Sequence, residues 1–137
     1  MQLVVCVDKR NGMMFNHRRQ SQDREVRKRI LEDAGAAALW MNAYSRMQFV
    51  EPETREIRED EAFLEKAGAG EWCFVENVSA ASWEKRIERI ICYRWDRIYP
   101  ADFWFDIPLA ANGWKLKQVD EFKGFSHERI TKEIYIK

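Results

Sequence analysis

The chain has 137 residues, 46% of them hydrophobic and 34% charged. That is enough apolar mass for a packed core and excludes a disordered chain, and the length suits a single domain over 1–137. Lys+Arg and Asp+Glu number 23 each, so the formal net charge is zero, which disfavours nucleic acid or an anionic membrane as the main partner. No apolar run approaches the roughly 20 residues of a membrane-spanning helix. Met1-Gln2-Leu3 opens a strand-like run without the basic start of a signal peptide, so a cytoplasmic location is expected.

The three cysteines, Cys6, Cys73 and Cys92, each lie inside an apolar run, and no CxxC spacing occurs. They are expected to be buried, inert thiols of a reducing compartment. Two distant histidines, His17 and His127, cannot build a zinc site or the histidine-rich centre of a metal-dependent nuclease, so no metal is expected.

In chain order, Leu3 to Val7 reads as a buried strand that ends at Asp8, with Asn11-Gly12 in the loop after it. Met13 to Gln22 is polar and without period. Val26, Ile30, Leu31 and Ala34 fall at helical spacing, so Ser21 or Asp23 caps a helix that Gly35 ends. Ala37 to Met41 is a second strand, with Asn42 capping a short turn through Phe49. Glu51 to Glu59 reads as an acidic surface excursion, and 60–67 as a helix with Phe63, Leu64 and Ala67 inward. Trp72 to Val75 is a third strand ending at Glu76-Asn77, and Ser82 to Arg89 a short helix before the strand Ile90 to Trp95. Phe103 to Ile107 is extended. A hairpin of Trp114 to Phe122 and Glu128 to Ile136 closes the chain, with Ile130, Ile134 and Ile136 on one face.

Strands alternating with helices imply right-handed crossovers. The expected fold is α/β, three-layer α/β/α, with a mostly parallel sheet and an antiparallel C-terminal hairpin. In such sheets ligands bind beyond the carboxyl ends of the parallel strands. Lys9 to Arg29 carries eight basic residues against Asp23 and Glu25, so Asn16, His17, Arg18 and Arg19 can receive a phosphate or carboxylate. Asp23, at the start of the first helix, is the one carboxylate placed for proton chemistry, and it is equally an ordinary cap. Asn42 and Asn77 follow strands and precede helix starts. With Ser45, Glu76 and Tyr93 they line the expected cleft.

The order of these motifs resembles the dihydrofolate reductases. LVVCVDKRNGMM is similar to that family's opening strand and mobile loop, and Asp23 falls near its catalytic acid. LWMNAYSRMQF resembles the second strand and WCFVENVSAASW the strand and helix that follow. ERIICYRWDRIYPADFWFD is similar to the strand and turn before the closing hairpin, and WKLKQVDEFKGFSHERITKEIYIK to the hairpin with its serine-histidine region. The resemblance implies a shortened dihydrofolate-reductase-like fold. Where the family has two glycines beside the coenzyme diphosphate, this chain has Glu76-Asn77, and Asn42 replaces a further glycine. A carboxylate there should repel phosphate, so NADPH is disfavoured and no cofactor is expected.

The reading that results is a protein without classical NADPH-dependent activity that binds a small anionic or heterocyclic molecule, pterin-like or nucleotide-like, at the strand ends. Two alternatives stay open. One is an NAD(P)H-dependent oxidoreductase, a pterin or folate reductase using Asp23. The other is a protein- or RNA-interaction module using the basic loop. The sequence leaves a homo-oligomer open.

Overall fold

The structure is a computed structural model that describes residues 1–50 and 56–137. Five strands run parallel. These are β1 (Gln2–Val7), β4 (Leu39–Met41), β5 (Ile57–Glu59), β6 (Trp72–Val75) and β7 (Arg89–Arg94). Two antiparallel strands, β9 (Lys115–Phe122) and β10 (Ile130–Ile136), extend the same sheet. Its order is β5-β4-β6-β1-β7-β10-β9, with β10 antiparallel to β7.

Both faces of the central strands β6, β1 and β7 are covered, and alternation along each of them divides the core in two, while β9 at the edge is exposed. Leu3, Val5 and Val7 of β1 join Cys73, Val75, Ile90 and Cys92 on one face. Phe63 and Leu64 of the short helix α3 (Phe63–Lys66) pack there. Val4, Phe74, Ile91 and Tyr93 point to the other face, which helix α1 (Arg24–Ala34) covers with Val26, Ile30, Leu31 and Ala34. These four are the residues whose spacing predicts the helix, and Gly35 closes it at φ 58°.

Several elements are shorter than the sequence predicts. The helix expected from 60 starts at Phe63, because Asp60 turns the chain, accepting from the Ala62 N–H at 2.8 Å. Residues Ala81–Arg86 form a 3₁₀ turn in place of a longer helix, and none of its side chains is buried, so no apolar face sustains one. Trp114 stays out of β9, sunk in the core with its indole N–H on Glu84. Ile130 and Ile134 share the α1 side of the core, but a bulge between Ile134 and Tyr135 precedes Ile136. The acidic excursion holds a strand at its end, β5, paired in parallel with β4; residues 51–55 lie outside the described residues.

The polar segment 13–22 contains a second sheet. Strands β2 (Gly12–Phe15) and β3 (Arg18–Arg19) form a hairpin, and β8 (Phe103–Trp104) pairs with β2. Asn16 and His17 make its two-residue turn with φ of 52° and 62°, the left-handed geometry that tight hairpins require. Asp8 anchors the entry to this sheet, its carboxylate accepting from the N–H groups of Arg10, Gly12 and Tyr99 and from Gln20. Among the described residues no helix is long and apolar enough to cross a membrane.

Candidate functional site

The carboxyl ends of the parallel strands carry two polar networks. One surrounds Glu76, which follows β6 and is only 6% exposed. Arg19, at the end of β3, grips it through two bonds, Nε to Oε2 at 2.9 Å and Nη2 to Oε1 at 3.1 Å. Ser45 in the short helix α2 (Ala43–Arg46) donates its hydroxyl to Oε1 at 2.8 Å. Asn42 caps α2 by accepting from the Ser45 N–H, and its amide donates to Asn77 Oδ1 at 2.8 Å. Tyr44 supports the arginine: its hydroxyl accepts from the Arg19 N–H, and its ring lies 4.4 Å from the guanidinium carbon. Hence five residues expected in the cleft, Arg19, Asn42, Ser45, Glu76 and Asn77, belong to one bonded cluster. Tyr44, which sequence reasoning missed, completes it.

The other expected residues stand apart from that cluster. Asn16, His17 and Arg18 are exposed at the hairpin tip, where the Asn16 N–H donates to Asp102. Tyr93 is buried beneath α1, and its hydroxyl donates to Asp33 at 3.3 Å. Burial, with the neighbouring Asp33 charge, holds that phenol well above the ordinary tyrosine range.

Asp23 is the centre of the second network. It caps α1, with Oδ1 accepting from the Glu25 N–H at 2.8 Å. The turn between β9 and β10 folds over the same carboxylate. Oδ1 also accepts from the Phe125 N–H, and Oδ2 accepts from the Ser126 N–H, the Ser126 hydroxyl and His127 Nδ1. The side chain is wholly shielded from solvent. Burial alone would push its pKa up, but the bonds from Phe125, Ser126, His127 and Glu25 together outweigh that and hold it well below the usual carboxylate range. Gly124 permits the close approach. A Cβ at that position would stand 2.5 Å from Asp23 Oδ2 and 2.7 Å from Ile130 Cδ1.

His127 extends this network outward. Its ring stacks on Trp95 with centroids 4.8 Å apart, and Nε2 lies 2.8 Å from the Ser21 hydroxyl. The sequence offers Ser21 only as a candidate cap and His127 only as part of the closing hairpin; 106 residues separate them, and the topology alone joins them.

A cavity of about 570 Å³ flanks the start of α1. Arg24, Arg27, Lys28 and Lys123 give it a mainly basic wall, with the single carboxylate Glu25, itself paired with Arg29, and with Leu31 and Phe125 as apolar surface. Arg24 lies over the Phe125 ring, and Arg27 donates to Gln22 at 3.2 Å.

No family model matches the sequence, and no curated protein does. The solved structures do contain a match. A dihydrofolate reductase from Enterococcus faecalis, complexed with NADP(H) and RAB-propyl, superposes with a TM-score of 0.65 over 98% of this chain and 95% of that one, at 11% identity. At that identity the likeness is one of architecture. The protein has a dihydrofolate-reductase-like fold, with a mostly parallel seven-stranded sheet closed by an antiparallel hairpin.

Proposed function

We propose that the protein binds a small anionic molecule with a planar or apolar part, without the nicotinamide chemistry associated with this fold. The observation that carries the reading is the basic cavity beside α1, where four cationic side chains face a space lined by Leu31 and Phe125. Such a wall favours a phosphate or carboxylate attached to a ring that packs on the apolar residues.

The residues after β6 do not fit a coenzyme diphosphate. A diphosphate needs open backbone N–H groups or uncommitted cations, whereas Arg19 and Ser45 are already bonded to Glu76. The reason differs from the simple repulsion that the sequence suggests. The Glu76 charge is paired with Arg19, so the chain's own carboxylate sits where Arg19 could otherwise receive an external anion. Asp23 is likewise committed to five donors from its own chain, which speaks against a proton-delivering role toward a pterin.

The test is thermal-shift titration with nucleoside phosphates, pterins, folates and NADPH, on the native chain and on Arg24→Ala/Lys28→Ala/Lys123→Ala. Stabilisation by an anionic ring compound that the triple variant loses supports the proposal. Stabilisation by NADPH together with NADPH-dependent turnover of a pterin replaces it with the reductase reading.

A further inference from the structure

We infer that Ser21, His127 and Asp23 form a nucleophile–base–carboxylate relay able to hydrolyse small carboxylic esters. The inference rests on geometry separate from the basic cavity. Asp23 is held ionised, so its oxygens can only accept, and the group 2.8 Å away at His127 Nδ1 must therefore donate. That places a proton on Nδ1, so in the neutral ring the lone pair lies on Nε2. The hydroxyl at 2.8 Å from Nε2 is that of Ser21, which consequently donates its proton toward the imidazole. These are the bonds by which a histidine activates a serine.

The surroundings keep the arrangement in place. Trp95 fixes the ring plane, with 25° between the two ring planes. Asp23 in turn is pinned by the N–H groups of Glu25, Phe125 and Ser126. Ser21 is half-buried rather than sealed in the core. A cavity of about 430 Å³ borders the imidazole and is lined by Trp95, Asp96, Arg97, His127, Glu128 and Arg129. It has room for a small acyl or alcohol group. Arg97 on its wall supplies positive charge for a carbonyl oxygen that becomes negative as it is attacked, whereas Arg129 on the same wall is paired with Asp96 at 3.2 Å.

The reaction balances with water as the only co-reactant. Ser21 Oγ forms a bond to the ester carbonyl carbon while its proton passes to His127 Nε2. The tetrahedral adduct then collapses, the carbon–oxygen bond to the alcohol breaks, and His127 returns the proton to the departing alkoxide. Water attacks the resulting acyl-serine by the same route, releasing the acid and restoring the Ser21 hydroxyl.

The experiment treats the folded chain with a fluorophosphonate, maps the adduct by mass spectrometry, and measures p-nitrophenyl acetate hydrolysis. The same is done for Ser21→Ala and His127→Gln, with melting temperatures recorded. The expected result is an adduct on Ser21 that His127→Gln prevents, with hydrolysis falling by about a hundredfold in each variant. The inference is overturned by the absence of an adduct on Ser21 in the folded chain, or by hydrolysis that Ser21→Ala leaves unchanged. If His127→Gln fails to fold, Ser21→Ala decides alone, because that change removes only one hydroxyl from a half-buried position.

Discussion

Arg19 and Glu76 are 57 residues apart in sequence yet share two hydrogen bonds, and Ser45 supplies a third to the same carboxylate. The pair is largely shielded, with side-chain exposures of 19% and 7%. Removing either partner leaves a mostly buried charge without its counterion. Glu76→Ala and Arg19→Ala are each expected to cost about 3 kcal/mol, and the double variant about 2 kcal/mol less than their sum. Denaturant unfolding of the four proteins measures this coupling; additive losses would mean that the contact contributes little.

The bonds at Asp23 make a second expectation. The sequence, reading Asp23 as a ligand contact, suggests that Asp23→Asn leaves stability nearly unchanged but alters ligand affinity, a large loss of stability being the mark of a structural cap. The structure reverses this, since an amide would turn an N–H₂ toward donors now facing carboxylate oxygens. A loss of about 3 kcal/mol is expected, together with loss of the His127 orientation.

Acid unfolding follows from the same group. The folded pKa of Asp23 lies below the roughly 3.9 of an unfolded aspartate, so the unfolded chain binds the proton more readily. The resulting stability is complete above about pH 5 and falls as pH drops toward the folded value. Asp8 adds to this in the same direction. Burial pushes its carboxyl up, but bonds from Gly12, Arg10, Tyr99 and Gln20 leave it lowered. Melting temperatures between pH 5 and 2.5 should fall less steeply in Asp23→Asn than in the native chain.

Gly124→Ala tests the packing of the turn over Asp23. The added methyl would meet a carboxylate that cannot move without losing its donors, so a loss of about 2 kcal/mol is expected. Unchanged stability would mean that the turn lifts freely off Asp23.

Cys73 and Cys92 are buried, and burial pushes both thiols up to about 12. Neither should react with a disulfide reagent at pH 8 until denaturant opens the sheet. Prompt modification of both in the native chain would show that the core around β6 and β7 is open.

Much of the architecture is legible in the sequence because it depends on local pattern. Val26, Ile30, Leu31 and Ala34 mark one helix face, and the apolar runs at Leu3, Trp72 and Ile90 mark buried strands. The small second sheet is hidden because β2 and β3 are short and its turn, Asn16-His17, lacks the glycine that usually announces such a hairpin. The site is harder still to read. Asp23 can be picked out as a helix cap, but its partners lie about a hundred residues later, on a turn whose approach depends on Gly124. Arg19 and Glu76 were separately visible as a cation and an anion near strand ends. Their cancellation is a product of the hairpin folding back, which no local pattern encodes.

The most direct test of this account is titration of the native chain with NADPH, followed by the enhancement of its fluorescence, beside a Glu76→Gly/Asn77→Gly variant that opens the hollow at the end of β6. The account predicts no saturation for the native chain at micromolar coenzyme, and measurable gain in the variant because Arg19 is released. Saturable micromolar binding by the native chain, undiminished with Arg19 and Glu76 intact, would contradict it.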